Sequence, residues 1–303
     1  MPSRPPIALV SARSARDRDA DLEPLCAALT ALGVAHEAVD WDDPAADWGG
    51  YPIALVRSTW DYTQRLPEFL AWIDRASALT TILNPPEVLR WNVDKHYLGE
   101  LAGRGLPVVP SSFIEPGDDI EAGIAGFLGR NLHPELVVKP AVSAGSRDTQ
   151  RYARSDGEEI HAHVERLLMA RRSVLLQPYF DRIDAQGETA LLHFEGQFSH
   201  AIRKGQLLRR GQPPTRALFA AEHIAPRDPP PEERALALRV LAALPFGRLL
   251  YARVDLIRAP DGSPCVLELE LTEPSLFLAH APHGAAMLAG SVQRRLAALA
   301  AGG

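Results

Sequence analysis

Tyr251-Ala-Arg-Val-Asp-Leu-Ile257 and Cys265-Val-Leu-Glu-Leu-Glu-Leu271 flank the turn sequence Pro260-Asp-Gly262. Both runs are rich in strand formers, and the turn signal between them predicts an antiparallel hairpin. Residues two apart on a strand share a face. Glu268 and Glu270 therefore point the same way, Arg253 and Asp255 likewise, and the turn can set the two pairs opposite each other. Three carboxylates on one sheet face repel unless a cation lies among them. Hard oxygen donors suit Mg²⁺, which usually takes one or two carboxylates plus substrate phosphates. An amphipathic hairpin with a polar outer face would show the same pattern.

Upstream, residues 189–194 and 197–203 flank Glu195-Gly196, a second hairpin signal. A proline-rich break at 226–231, a helix over 232–243 and an amphipathic helix over 285–300 complete an antiparallel sheet with helices. Residues 108–114, 136–140 and 173–177 read as strands, with helices over 94–103, 120–128 and 158–169, a β-rich unit of its own. Nearer the N-terminus, strands at 7–11, 36–39 and 53–56 alternate with helices at 22–32 and 66–78, which predicts parallel βαβ units. Asn84-Pro-Pro86 breaks that pattern. The chain divides accordingly into an N-terminal α/β unit over 1–100, a small lobe over 101–178 and a C-terminal lobe over 179–303. The fold class is mixed α/β and α+β. Residues 209–216, with Gly211 and Pro213-Pro214, read as a mobile loop.

The 303 residues carry a formal charge of −6, which argues against general nucleic-acid binding. No run of about 18 apolar residues predicts a membrane span, and the apolar stretch at 7–11 is too short for a signal-peptide core. Cys26 and Cys265 are too few for a disulfide framework or a cysteine-rich metal site. A reducing cytoplasm fits. Cys26 and Cys265 lie in no nucleophile motif, and G-x-S-x-G is absent. His161 and His163 face apart on a helix; His280 and His283 could share a face.

Of 32 basic residues only Lys95, Lys139 and Lys204 are lysine. A lysine is a compact, rotatable point charge that arginine does not replace. Lys139 ends a buried strand before a small-residue loop with Ser143, Gly145 and Ser146, where backbone N–H groups can help bind phosphate. Lys95 lies in Trp91-Asn-Val-Asp-Lys95, and Lys204 ends a hairpin strand beside Arg203. Each would also serve as an ordinary solvated residue. Arg57-Ser58-Thr59-Trp60-Asp61-Tyr62 follows the third strand, and ligands of open α/β sheets bind at the carboxyl ends of strands. A guanidinium, two hydroxyls and a carboxylate there could hold a zwitterionic amino acid. A loop anchored by Trp60 and Tyr62 is the alternative.

In order along the chain stand Lys95, Val138-Lys-Pro140, Gln177-Pro-Tyr-Phe180, Gly187-Glu188, Arg203-Lys204, Arg253-x-Asp255 and Glu268-x-Glu270. That order resembles the ATP-grasp superfamily in its glutathione-synthetase-like branch, over nearly the whole chain. Arg-x-Asp followed thirteen positions after the Asp by a Glu-x-Asn/Glu pair is similar to D-alanine–D-alanine ligase. Here Glu270 stands where those enzymes usually have Asn, and Leu271-Thr-Glu-Pro-Ser-Leu-Phe277 replaces their usual tail. Trp91–Lys95, 268–277 and 57–62 look like a small branch that includes the O-ureido-serine cyclo-ligase of cycloserine biosynthesis.

The resemblance implies an ATP-grasp fold: a Rossmann-like N-terminal domain and two lobes clamping ATP. It places Lys95 and Lys139, with Ser143, Gly145 and Ser146, at the ATP phosphates. Gln177, Pro178, Tyr179 and Phe180 would form the hinge against adenine, and Glu188 would bind ribose. Asp255, Glu268 and Glu270 would hold two Mg²⁺, with Mn²⁺ able to substitute. Arg203, Lys204 and Arg253 would be catalytic, meeting the γ-phosphate and the reacting carboxylate. Arg57, Ser58, Thr59, Trp60, Asp61 and Ser275 would bind a small amino-acid-like substrate. The implied activity is an ATP-dependent, ADP-forming carboxylate–amine ligase acting through an acylphosphate, in its narrowest form the cyclo-ligase. A ligase joining two substrates and an inactive nucleotide-binding regulator are the alternatives. Loops 141–149 and 205–216 would close over ATP. No nucleic-acid or membrane partner is expected, and homodimer formation is left open.

Overall fold

The computed structural model describes residues 5–211 and 223–302. Its first sheet has strand order β2-β1-β3-β4, all parallel. The strands are β1 (Ile7–Ser11), β2 (His36–Asp40), β3 (Ile53–Ser58) and β4 (Thr81–Leu83). The helices are α1 (Leu22–Ala31), α2 (Leu66–Ser77), α3 (Pro86–Asn92) and α4 (Tyr97–Gly103). β1 and β3 are buried along their whole length, as the continuous apolar runs of a parallel sheet require. One face of this sheet packs on an aromatic core built by Trp41, Trp48, Trp60, Tyr62, Phe69 and Trp72. Its other face carries Ile7, Leu9, Ile53 and Leu55 into a core shared with α1 and the C-terminal helix.

The second sheet, order β5-β8-β6-β7, is antiparallel. It comprises β5 (Ser112–Ile114), β6 (Glu135–Pro140), β7 (Gln150–Ala153) and β8 (Val174–Pro178), covered by α5 (Ile120–Arg130) and α6 (Gly157–Met169). The third sheet, order β11-β10-β9-β12-β13, is also antiparallel. After the short α7 (Arg182–Gln186) it comprises β9 (Glu188–Phe194), β10 (Gln197–Lys204), β11 (Ile224–Arg227), β12 (Tyr251–Arg258) and β13 (Pro264–Glu270). Between β11 and β12, α8 (Pro231–Ala242) covers one face, together with α4. The final helix, α9 (Pro282–Gly302), returns to pack on α1.

Several sequence expectations shift. The strand expected at 108–114 shortens to β5, and Val108 makes only an isolated bridge to Val266. The helix expected over 94–103 begins at Tyr97, and Pro86 opens a helix of its own, since its missing N–H is harmless at a first helical position. β4, β7 and β11 are additional strands. The loop expected over 205–216 lies in part outside the described residues. Among those residues no helix is long and apolar enough to cross a membrane.

Asparagines tie the first sheet's exit to the third sheet. Asn84 Nδ2 donates to the carbonyls of Tyr251 and Leu271 at 2.9 and 2.8 Å, and its Oδ1 accepts from Leu250 N at 2.7 Å. Asn92 Nδ2 donates to Leu269 O at 2.8 Å, and its Oδ1 accepts from Leu271 N at 2.6 Å. Buried polar groups must be paired, and these side chains satisfy the backbone where β13 ends and the segment 271–278 begins.

Candidate active site

A cleft is lined by side chains from the second and third sheets, and by Trp60 and Tyr62 just after β3. Its floor is the third sheet. β12 and β13 pair Arg253 with Glu270 and Asp255 with Glu268, and β9 and β10 pair Glu188 with Lys204. Arg253 bonds the Asp255 carboxylate from Nε and Nη2, each at 2.9 Å, and its Nη2 also meets Glu270. Lys204 Nζ lies 2.8 Å from Asp255 Oδ2 and also pairs with Glu188. Glu188, Glu268 and Glu270 face the cleft, whereas Asp255 is buried behind Lys204 and Arg253. The polar-outer-face alternative therefore falls: these carboxylates look into an enclosed space.

The small-residue loop after β6 roofs this floor. Lys139, at the end of β6, is buried, and burial pulls its ammonium below the usual lysine range despite nearby Glu268. Lys95 Nζ reaches Glu268 Oε1 at 3.0 Å and donates to Ser143 at its carbonyl (2.9 Å) and Oγ (3.1 Å). Lys95 so links the roof loop to the floor. Ser143, Gly145 and Ser146 all line the cleft, and Gly145 and Ser146 take left-handed backbone, with φ of 61° and 58°.

Charge on the floor is unevenly satisfied. Burial would raise Asp255, but Arg253 and Lys204 hold it below the usual carboxylate range; Lys95 and Lys139 do the same for Glu268. Glu188 and Glu270 go the other way, raised by burial and by the neighbouring Asp255. That surplus of crowded oxygen donors suits a hard divalent cation. Among the described residues no three His, Cys, Asp or Glu side chains are arranged to hold a metal ion, His280 and His283 included. The carboxylates instead grip lysine and arginine. An ion arriving with phosphate oxygens needs only one or two of them, and Glu268 and Glu270 offer that.

Beyond Lys139 the cleft becomes apolar. Val137, Pro178, Phe180, Ile257 and Leu267 line a slot fit for a flat ring. Gln177 and Tyr179 also line it; Gln177 Nε2 donates to Ser111 Oγ at 3.0 Å, and the Tyr179 hydroxyl donates to Asp184. Gly187 holds the turn into β9 with φ of 70°, and a Cβ there would lie 2.3 Å from Lys204 O. Only glycine lets Glu188 and Lys204 approach.

At the first sheet's end of the cleft stand Trp60, Ser275, Tyr62, Glu273 and Phe277. Arg57, Ser58, Thr59 and Asp61, expected at a substrate, do not line it. Arg57 is fully buried; its Nη2 donates to Pro274 O at 3.3 Å and lies 3.6 Å from Asp21 Oδ2. Ser58 Oγ lies 2.6 Å from Ser11 Oγ, Thr59 is fully buried, and Asp61 accepts from Trp41 Nε1 at 2.9 Å. Asp21 in turn accepts the N–H groups of Leu276, Phe277 and Leu278. The charges at the end of β3 thus anchor the segment 271–278 rather than a ligand. Arg203 is likewise misplaced by the sequence reading. Neighbours on a strand face opposite ways, so with Lys204 inward, Arg203 points to the carbonyls of Ala185 and Gln186. Sequence reasoning missed Tyr62 and Glu273. Tyr62 follows β3 and Glu273 follows β13, and the backbone turns that aim them carry no periodic signal.

Residues 7–84 match the family model described as the N-terminal domain of D-cycloserine synthetase DcsG. The chain is 40% identical over 299 residues to the cycloserine biosynthesis protein DcsG of Streptomyces lavendulae, covering 96% of this chain and 98% of that one. Its structure is similar to the crystal structure of D-cycloserine synthetase DcsG, with a TM-score of 0.89 at 40% identity, covering 96% and 99% of the two chains. The fold is also that of D-alanine–D-alanine ligase from Bacillus anthracis, with a TM-score of 0.69 at 16% identity over 98% and 99%.

Proposed function

Because this chain belongs to the DcsG family, we propose that it closes the ring of cycloserine from O-ureido-D-serine. It is an ATP-dependent ligase with the ATP-grasp fold. The observation that carries the reading is the cleft itself. Lys95, Lys139, Lys204 and Arg253 converge there with Glu188, Glu268 and Glu270, and no cysteine or serine nucleophile is needed. Phosphoryl transfer depends on in-line positioning and charge neutralisation.

In this reading adenine lies in the slot between Val137, Phe180, Ile257 and Leu267, its edge read by the 177–180 backbone. Glu188 meets the ribose. Lys95, Lys139 and the Ser143–Ser146 backbone neutralise the phosphates. Glu268 and Glu270, with Asp255 behind them, would hold two Mg²⁺, or Mn²⁺ in their place. Such ions would supply charge neutralisation at the phosphate oxygens. Arg253 and Lys204 steer the γ-phosphate toward the substrate carboxylate at the Trp60–Ser275 end.

The carboxylate oxygen attacks the γ-phosphorus and ADP leaves. The N–O nitrogen of the same molecule then attacks the acyl carbon, loses its proton, and expels phosphate. Water removes the carbamoyl group as carbon dioxide and ammonia, which balances the products to cycloserine. The roof over residues 141–149, fastened by Lys95, would keep water from the acylphosphate. The test is phosphate release from Mg·ATP with amino acids offered singly and in pairs. Release with O-ureido-D-serine alone is expected; an absolute requirement for two different amino acids would favour a two-substrate ligase instead.

A further inference from the structure

Among the described residues four carboxylates line the cleft, and three of them face a lysine or arginine: Glu188 with Lys204, Glu268 with Lys95, and Glu270 with Arg253. Glu273 is the exception. Among the described residues no lysine or arginine pairs with it, although it is only 8% exposed. Its carboxylate is hydrogen-bonded by Tyr62, itself buried, and its backbone carbonyl accepts from Trp60 Nε1 at 3.0 Å. The side chain is therefore held in place, while the nearby Lys95 is already bonded to Glu268 and Ser143, in a setting where an ionised carboxylate needs a partner of its own. Burial, and next the negative charge of Glu270, pushes its carboxyl up to about 8.

Glu273 lines the cleft together with Ser275, Phe277 and Trp60, the last of which it bonds through its carbonyl. Arg253 donates to the Ser275 carbonyl at 3.1 Å and so adjoins this corner. An amino acid whose carboxylate meets Arg253 carries its ammonium group one carbon away. Ring closure consumes the carboxylate and the N–O nitrogen but leaves that ammonium untouched. A group that takes no part in the chemistry can therefore hold the ammonium throughout.

We propose that Glu273, fixed by Tyr62, binds the α-ammonium of the amino-acid substrate and so makes the enzyme selective for amino acids over simple carboxylic acids. The proposal rests on the reading of the cleft as a carboxylate-activating site. The test compares O-ureido-D-serine with its desamino analogue, 3-(carbamoylaminooxy)propanoate, in the wild-type chain and in Glu273→Gln. ATP binding, titrated calorimetrically without amino acid, checks that the variant is folded. The wild type should prefer the amino compound by about a hundredfold or more in kcat/KM, the scale on which a buried charge pair discriminates. Glu273→Gln should lose most of that preference by raising KM for the amino compound alone, with ATP affinity unchanged, and Tyr62→Phe should lose part of it. An unchanged preference in Glu273→Gln, or equal losses on both compounds, overturns the proposal. If the wild type releases no phosphate with O-ureido-D-serine, the substrate reading fails separately. The same paired comparison, on whichever amino acid does drive phosphate release, then decides the role of Glu273.

Discussion

Replacing Gly187 by alanine should damage both stability and nucleotide binding. Gly187 has φ of 70° and ψ of −167°, a region that is essentially glycine's alone and costs other residues about 1–3 kcal/mol. Sterics add to this. The new Cβ would stand 2.3 Å from the Lys204 carbonyl oxygen and 3.0 Å from Arg203 Nε. Because the close neighbour is backbone, the end of β10 must retreat from β9. That weakens a ladder hydrogen bond, worth about 1 kcal/mol, and parts Glu188 from Lys204. The expected sum is a loss of about 2–4 kcal/mol in unfolding free energy, read by urea denaturation, the strain and hydrogen-bond costs adding. ATP should bind about tenfold more weakly by calorimetry, the effect of roughly 1.4 kcal/mol. Gly196 supplies the control: its φ is 77°, but nothing lies within 4 Å of a Cβ there. Gly196→Ala should lose stability through backbone strain alone and keep its ATP affinity. Equal behaviour of the two variants, or wild-type ATP affinity in Gly187→Ala, would refute the close-approach reasoning.

Glu268→Gln should cut phosphate release by about a hundredfold or more, as loss of a charged group at a phosphoryl-transfer site does, with circular dichroism unchanged; wild-type turnover would sink its role. Lys95→Arg, Lys139→Arg and Lys204→Arg should each lower kcat/KM, the first two most, because Lys95 and Lys139 are both buried and a planar guanidinium is larger than an ammonium. Full activity in all three would mean that the scarcity of lysine is coincidence. Glu273, faced by Tyr62, Glu270, Glu268 and Lys95, has its carboxyl raised from 4.5 to about 8. Between those values the folded chain holds a proton that the unfolded chain has released, so stability falls as pH rises through that window. Glu273→Gln should flatten this slope in denaturation curves at pH 5.5, 6.5 and 7.5, and an identical slope would count against the assignment.

The legible parts of the sequence were those governed by period and turn chemistry. Pro260-Asp-Gly262 and Glu195-Gly196 mark hairpins whose alternation puts Arg253 opposite Glu270 and Glu188 opposite Lys204. What escaped was set by long-range contact. β4, β7 and β11 span only three or four residues each, too short to establish an alternation. Arg57 looked like a ligand-binding residue because it ends a strand at the expected edge of the sheet. Asp21, 36 positions earlier, and Pro274, 217 positions later, claim it instead. Arg203 and Lys204 could not both face one cleft, a conflict that strand alternation alone should have exposed. Glu273 carried no period, since it follows the end of β13, where the Asn92 side chain takes over the backbone hydrogen bonds.

The central claim is that ATP activates the substrate's own carboxylate for ring closure. Oxygen-18 tracing tests it most directly. O-ureido-D-serine labelled with ¹⁸O in both carboxylate oxygens is turned over with unlabelled Mg·ATP, and the released phosphate and the cycloserine are weighed by mass spectrometry. An acylphosphate passes one label to phosphate and keeps the other in the ring carbonyl. Phosphate free of ¹⁸O, with cycloserine still formed, would contradict carboxylate activation.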